Sequence, residues 1–169
     1  MRTALATVFL TGAIAAALPV DAATQNHWMQ ANGSGVCQAA LPNFEGQIRK
    51  RPLAIQNEGT ATAFVTCSPT SLQFAEASSG GHGVFFKNDS DAGVTIGFTG
   101  VMGASNWSTE YSPRSVTIAA NDTGAIYWEP TDFPTNGSSS QTTFNVSCTL
   151  APGVGLRTVY INQLIEIGN

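Results

Sequence analysis

Apolar and polar residues alternate along most of this chain, and clusters of Gly, Asn, Asp and Pro cut the alternation into short lengths. ATAFVTC (61–67) sets Ala61, Ala63, Val65 and Cys67 on one face and Thr62, Phe64 and Thr66 on the other. AGVTIGFTG (92–100) does the same with Val94, Ile96 and Phe98, and TTFNVSCTL (142–150) with Phe144, Val146, Cys148 and Leu150. RSVTIAA (114–120), GVFFK (83–87), GAIYWE (124–129) and LRTVYINQLIEI (156–167) complete the set. A period of two is the mark of a strand with one buried face, because successive side chains point to opposite sides of a sheet. NEGT, SSGGHG, NDSDAG, NDTG, FPTNGSSS and APGVG separate these segments and read as turns or loops. No segment holds a helical period over three turns. Seven or eight short strands with this punctuation predict an all-β domain, a single antiparallel β-sandwich of immunoglobulin-like or jelly-roll-like type, with a closed barrel as the alternative.

The first residues follow a different pattern. Arg2 precedes an apolar or small-residue stretch from Leu5 to Leu18, then Pro19 and the small residues around Ala22. This reads as a signal peptide over 1–22, and the stretch is too short for a membrane anchor. No later segment is long and apolar enough to span a bilayer. The expected mature protein is therefore secreted or periplasmic, with 23–36 (ATQNHWMQANGSGV) as a flexible N-terminal arm and 37–169 as the β-sandwich domain.

Charge is scarce. Charged residues make up 11% of the chain, against roughly 25% in an average soluble protein. The net charge of −4 argues against a nucleic-acid partner, since such binding needs a basic surface to displace counterions. Against that background Arg49, Lys50 and Arg51 stand side by side before Pro52. Arg49, Arg51, Leu53 and Ile55 share a parity, so an unbroken strand would bury arginines; a bend near Pro52 would leave the basic residues outside and turn Leu53 and Ile55 inward. Basic residues beside proline guard a sheet edge against pairing with another chain. They also suit an acidic glycan, and the two roles can coexist.

The three cysteines, Cys37, Cys67 and Cys148, would meet an oxidising compartment, so at least one disulfide is expected. Cys67–Cys148, facing one another across the core, is the favoured pairing, and Cys37–Cys67 is the competitor.

Catalytic motifs are lacking. GASNW (103–107) misses the second glycine of a nucleophile elbow. Glu110, Glu129 and Asp132 are the acids a small glycan-acting hydrolase would have to converge on one cleft. His82 lies in SSGGHG, expected to be a solvated turn. Asn88, Asp89 and Asp91 in NDSDAG have a spacing open to Ca²⁺ but lack the length and glutamate of an EF-hand loop, so neither metal nor cofactor is expected. Two aromatic clusters are better candidates for ligand contact: SNWSTEYSPR, with Trp107 and Tyr111, and YWEPTDF, with Tyr127, Trp128 and Phe133 beside Glu129. Trp128 is in phase with Ile126 and is expected in the core. The candidate ligand-binding residues are therefore Arg49, Lys50, Arg51, Trp107, Tyr111 and Glu129.

RKRPLAIQNEGTATAFVTCSP and FNVSCTLAPGVGLRTVYINQLIE resemble a loose class of small exported bacterial proteins. These have an Asn-Gly-Thr/Ser element leading into a strand that ends Val-x-Cys followed by Pro or Ser, and a late Cys-x-Leu-x-Pro element before a final strand that closes in an acidic residue. Cys67, Cys148 and Glu166 match those positions. The resemblance implies an exported β-sandwich and supplies no activity. Together these features predict a non-enzymatic envelope or extracellular protein that binds a polysaccharide or another surface component. A structural subunit of a surface appendage is the alternative, and a small hydrolase a lesser one.

Overall fold

The computed structural model describes residues 23–70, 78–104, 109–133 and 141–167; the expected signal peptide and Trp107 lie outside them. Among the described residues eleven strands run in chain order: β1 (Ala23–Asn32), β2 (Cys37–Ala39), β3 (Ile48–Arg51), β4 (Ala54–Asn57), β5 (Ala63–Cys67), β6 (Ser78–Asn88), β7 (Val94–Ala104), β8 (Thr109–Ile118), β9 (Thr123–Trp128), β10 (Gln141–Leu150) and β11 (Val154–Ile167). They form two antiparallel sheets, so the chain is an all-β sandwich, as the alternation predicts. The first sheet has the order β3-β4-β11-β6-β9, and β1 joins it by pairing with β11. β11 is long enough to hold β4 at Gly155–Leu156 and β1 at Thr158–Ile167 along one side, with β6 along the other. The second sheet has the order β2-β5-β10-β7-β8.

The predicted apolar faces are the inner faces. Ala63, Val65 and Cys67 on β5, Ile96 and Phe98 on β7, and Phe144, Val146, Cys148 and Leu150 on β10 are all buried. The first sheet answers with Val84 and Phe86, Ile126 and Trp128, and Leu156, Val159 and Ile161. Trp128 is fully buried, as expected, and its indole N–H donates to the Ser112 carbonyl at 2.9 Å, which ties the two sheets together. A buried indole needs such a partner, since leaving the N–H dry and unpaired costs about 1–3 kcal/mol.

Two buried asparagines close one end of the sandwich, on either side of Gly153. Asn57 donates to the Ala61 and Leu150 carbonyls at 2.8 and 2.7 Å and accepts from Gly59 N–H at 2.9 Å. Asn88 repeats the device, donating to the Ala92 and Ala119 carbonyls and accepting from Ser90 N–H. Each is an Asx-turn whose amide also satisfies the carbonyl of a distant strand end. The turn considered for Ca²⁺ is thus held by Asn88 itself, while Asp89 is engaged by Lys87 and Gln56.

Several expectations are corrected. Residues 23–36, expected as a flexible arm, form β1 and a single helical turn, α1 (Gly33–Val36). β1 lies at a sheet edge, where only Met29 and Ala31 are partly covered, so its sequence shows little alternation. The disulfide is Cys37–Cys67, not Cys67–Cys148. Cys37 stands directly opposite Cys67 in the β2–β5 ladder, whereas Cys148 stands opposite Val65. Cys67 and Cys148 therefore share a sheet rather than facing one another across the core, and Cys148 is left free and buried. Leu53 does not turn inward: Pro52 and Leu53 form the tip of the β3–β4 hairpin and Leu53 is exposed, while Ile55 is fully buried. SSGGHG is part of β6, not a turn, which places His82 on the inner face.

Candidate functional site

The outer face of the first sheet carries four aromatic rings on four neighbouring strands: Trp28 on β1, Tyr160 on β11, Phe85 on β6 and Tyr127 on β9. Tyr160 is the hub. Its ring centroid lies 5.7 Å from Trp28, 5.7 Å from Phe85 and 5.6 Å from Tyr127. Phe85 and Tyr127 meet edge to face at 6.0 Å. Trp28 is 60% exposed, Tyr127 46% and Phe85 39%, while Tyr160 lies beneath them at 9%.

Gly83 makes this convergence possible. Tyr160 on β11 and Tyr127 on β9 both stand opposite Gly83 on β6, one from each side. Their backbones are about two inter-strand spacings, roughly 9.5 Å, apart. The rings meet only because nothing projects between them: a Cβ at Gly83 would lie 2.2 Å from Tyr160 Cε1.

Polar groups border the rings. Asn162, on the same face of β11 as Tyr160, is 8% exposed; its Nδ2 donates to Asn26 Oδ1 at 3.0 Å. Its Oδ1 is buried and has no hydrogen-bond partner among the described residues. Gln30 stands opposite Tyr160 on β1. At the end of β9 the Glu129 carboxylate sits beside Gly81, whose positive φ of 149° suits glycine; a Cβ there would be 3.3 Å from Glu129 Oε2. Burial, then Tyr127 and Glu129 close by, push the Tyr160 hydroxyl up to about 12, so it stays protonated as a hydrogen-bond donor.

The five predicted ligand-contact residues that the structure describes do not converge. Glu129 reaches the aromatic face. Arg49, Lys50 and Arg51 are exposed on β3, at the edge of the first sheet, where Arg51 pairs with Glu58 and Arg49 Nη1 donates to the Ile48 carbonyl at 3.1 Å. Tyr111 is exposed on the outer face of β8, in the second sheet, and Trp107 lies outside the described residues. The acids weighed for hydrolysis hold separate posts: Glu110 is buried on β8, and Asp132 pairs with Arg114 and accepts from Glu129 N–H at 2.7 Å. His82 is not solvated but stacked on Phe144 at 4.1 Å, and burial holds its pKa down at about 3, so it is neutral at ordinary pH. Trp28, Tyr160 and Phe85 were missed. Phe85 and Tyr160 stand out of phase with buried neighbours on their strands, and that is the signal that could have found them; Trp28 has no such signal on its barely alternating strand.

No protein-family model matches the sequence, and no curated protein matches it. Solved structures resemble it distantly. A family 11 carbohydrate-binding module from Clostridium thermocellum, solved with a β-1,3-1,4-mixed-linked tetrasaccharide, is 13% identical over 82% of this chain and 88% of that one, with a TM-score of 0.39. A carbohydrate-binding module specific for non-crystalline cellulose is 13% identical over 83% and 87%, with a TM-score of 0.41. An agarase is 6% identical over 79% of this chain and 25% of its own, with a TM-score of 0.40. At such distance only this chain's own side chains can carry a functional reading.

Proposed function

We propose that the protein binds polysaccharide on the outer face of its first sheet, by stacking sugar rings on Trp28, Tyr127 and Phe85. The observation that carries this is the four-strand aromatic surface, left open to solvent and bordered by hydrogen-bonding groups. The apolar faces of sugar rings lie well on flat aromatic surfaces, whose rigid side chains lose little entropy on contact. Sugar hydroxyls need both donors and acceptors beside the rings. The Tyr160 hydroxyl supplies a donor, while Glu129 supplies an acceptor.

The role is non-enzymatic binding outside the cytoplasm, following the export signal expected over residues 1–22. The appendage-subunit alternative needs a first strand free for exchange between subunits. β1 instead pairs with its own chain's β11 at every position from Ala23 to Asn32, which favours the binding reading.

Affinity electrophoresis of the mature protein through gels containing neutral and acidic polysaccharides tests this. At least one polymer should retard the protein, and Trp28→Ala should abolish most of the retardation. Migration unaffected by every polymer would overturn the reading.

A further inference from the structure

The register of β11 against β6 slips beside the aromatic face: Leu156 stands opposite Phe86 and Thr158 opposite Phe85, so Arg157 is an extra residue. A β-bulge of this kind breaks the alternation and re-aims a side chain, and bulges gather at functional edges of sheets. Arg157 is exposed and lines two adjoining hollows. One, of about 400 Å³, continues the aromatic face past Phe85, Thr158 and Ala125. The other, of about 250 Å³, is bordered by Arg51, Gln56, Lys87 and Asp89. In that second hollow Arg51 is held by Glu58 and Lys87 by Asp89. Arg157 has no ion-pair or hydrogen-bond partner among the described residues, although the chain as a whole is acidic.

We propose that the polysaccharide bound on the aromatic face is an acidic one, and that Arg157 takes one of its carboxylates. This rests on the polysaccharide-binding reading and narrows it. A guanidinium presents a planar fork of donors that fits a carboxylate through two parallel hydrogen bonds, and Arg157 is the one cation lining these hollows that no carboxylate among the described residues already holds. The opposite end of the face is unsuited to an anion, because the Glu129 carboxylate is there. Tyr160 and Arg157 are three residues apart on β11, about 10 Å of strand. The bound chain therefore has a direction, with a neutral sugar over Tyr160 and Tyr127 and a uronic acid beyond Phe85 at Arg157.

Carboxylated polysaccharides, each beside its own methyl-esterified form, provide the probe, with wild-type protein and Arg157→Gln compared at low and high salt. The wild type should bind at least one acid form roughly tenfold more tightly than its ester, the scale of one charge-assisted hydrogen-bond pair. Added salt should narrow that gap. Arg157→Gln should lose the preference and keep the weaker binding of the ester. Equal affinity for acid and ester, a gap that survives Arg157→Gln, or binding of neutral polymers alone would overturn the acidic-ligand proposal and leave the aromatic site standing. Failure of the protein to bind any polymer, neutral or acidic, would instead remove the polysaccharide reading itself.

Discussion

Replacing Gly83 with alanine is the smallest change that should dismantle the aromatic face. The added methyl would lie 2.2 Å from Tyr160 Cε1 and 2.8 Å from its hydroxyl oxygen, where carbon atoms sit about 3.5–4.0 Å apart at best. Tyr160 must give way by more than about 1 Å, and with Phe85, Trp28 and Tyr127 around it the ring has only an outward path. A buried tyrosine covers about 150–250 Å², so exposing a third of it forfeits roughly 1.5–2 kcal/mol at about 25 cal/mol per Å². Alanine in place of glycine restrains the unfolded chain and returns about 0.5–1 kcal/mol. The net loss of stability should therefore be near 1 kcal/mol, too little to unfold a domain, while polysaccharide affinity falls at least tenfold. The distinguishing assay is ultraviolet difference titration of the phenols. In the wild type the Tyr160 hydroxyl should titrate late, near pH 12; in Gly83→Ala its step should move back toward the ordinary value of about 10. A variant that keeps both the late titration step and full affinity would show that the ring finds room, and that Gly83 does not set the face.

The disulfide assignment makes a sharp prediction. Closing the 30-residue separation between Cys37 and Cys67 is worth roughly 3.5 kcal/mol of chain entropy; Cys37→Ser should lose about that much in urea denaturation, and Cys148→Ser should leave the disulfide intact. Cys148, fully buried and with its thiol pushed up to about 12, should react with a thiol reagent only after unfolding, as read by mass. His82 should make the protein acid-sensitive: its folded pKa of about 3 lies below the unfolded value of 6.5, so stability is full above pH 6.5 and is lost as pH falls toward 3. That amounts to about 2 kcal/mol between pH 7 and pH 5, and His82→Gln should flatten the slope in denaturation curves taken across that range. Arg49→Ser combined with Lys50→Ser, on the edge strand β3, should raise aggregation measured by light scattering and shift the melting temperature little; a large shift would mean that these side chains hold the fold rather than guard its edge.

The alternation revealed the sandwich because most strands bury one face. Phe144, Val146, Cys148 and Leu150 could be assigned inward from spacing alone, and Trp128 by its phase with Ile126. The disulfide was less legible, because spacing indicates which way a cysteine points and not which strand lies beside it. Cys37 and Cys148 both point inward, and only the β2–β5 register decides between them. The aromatic face was hidden for a related reason. Its four rings come from positions between 28 and 160, brought together by the pairing of β1 and β6 with β11, and no local pattern encodes that adjacency. Gly83 looked like turn punctuation, yet it serves a close approach of side chains inside a strand. Arg157 depends on a bulge, which shifts the alternation by one residue and leaves no mark in composition.

The most direct test of the aromatic site is a calorimetric titration of two variants with the polysaccharide that retards the wild type best. Tyr127→Ala removes a ring from the outer face of the first sheet, and Tyr111→Ala removes an even more open ring from the outer face of the second. Tyr127→Ala should weaken binding about tenfold or more, from roughly 1.5 kcal/mol of lost ring contact, and Tyr111→Ala should bind like the wild type. Loss of affinity in Tyr111→Ala with full affinity in Tyr127→Ala would place the ligand on the other sheet and contradict the account.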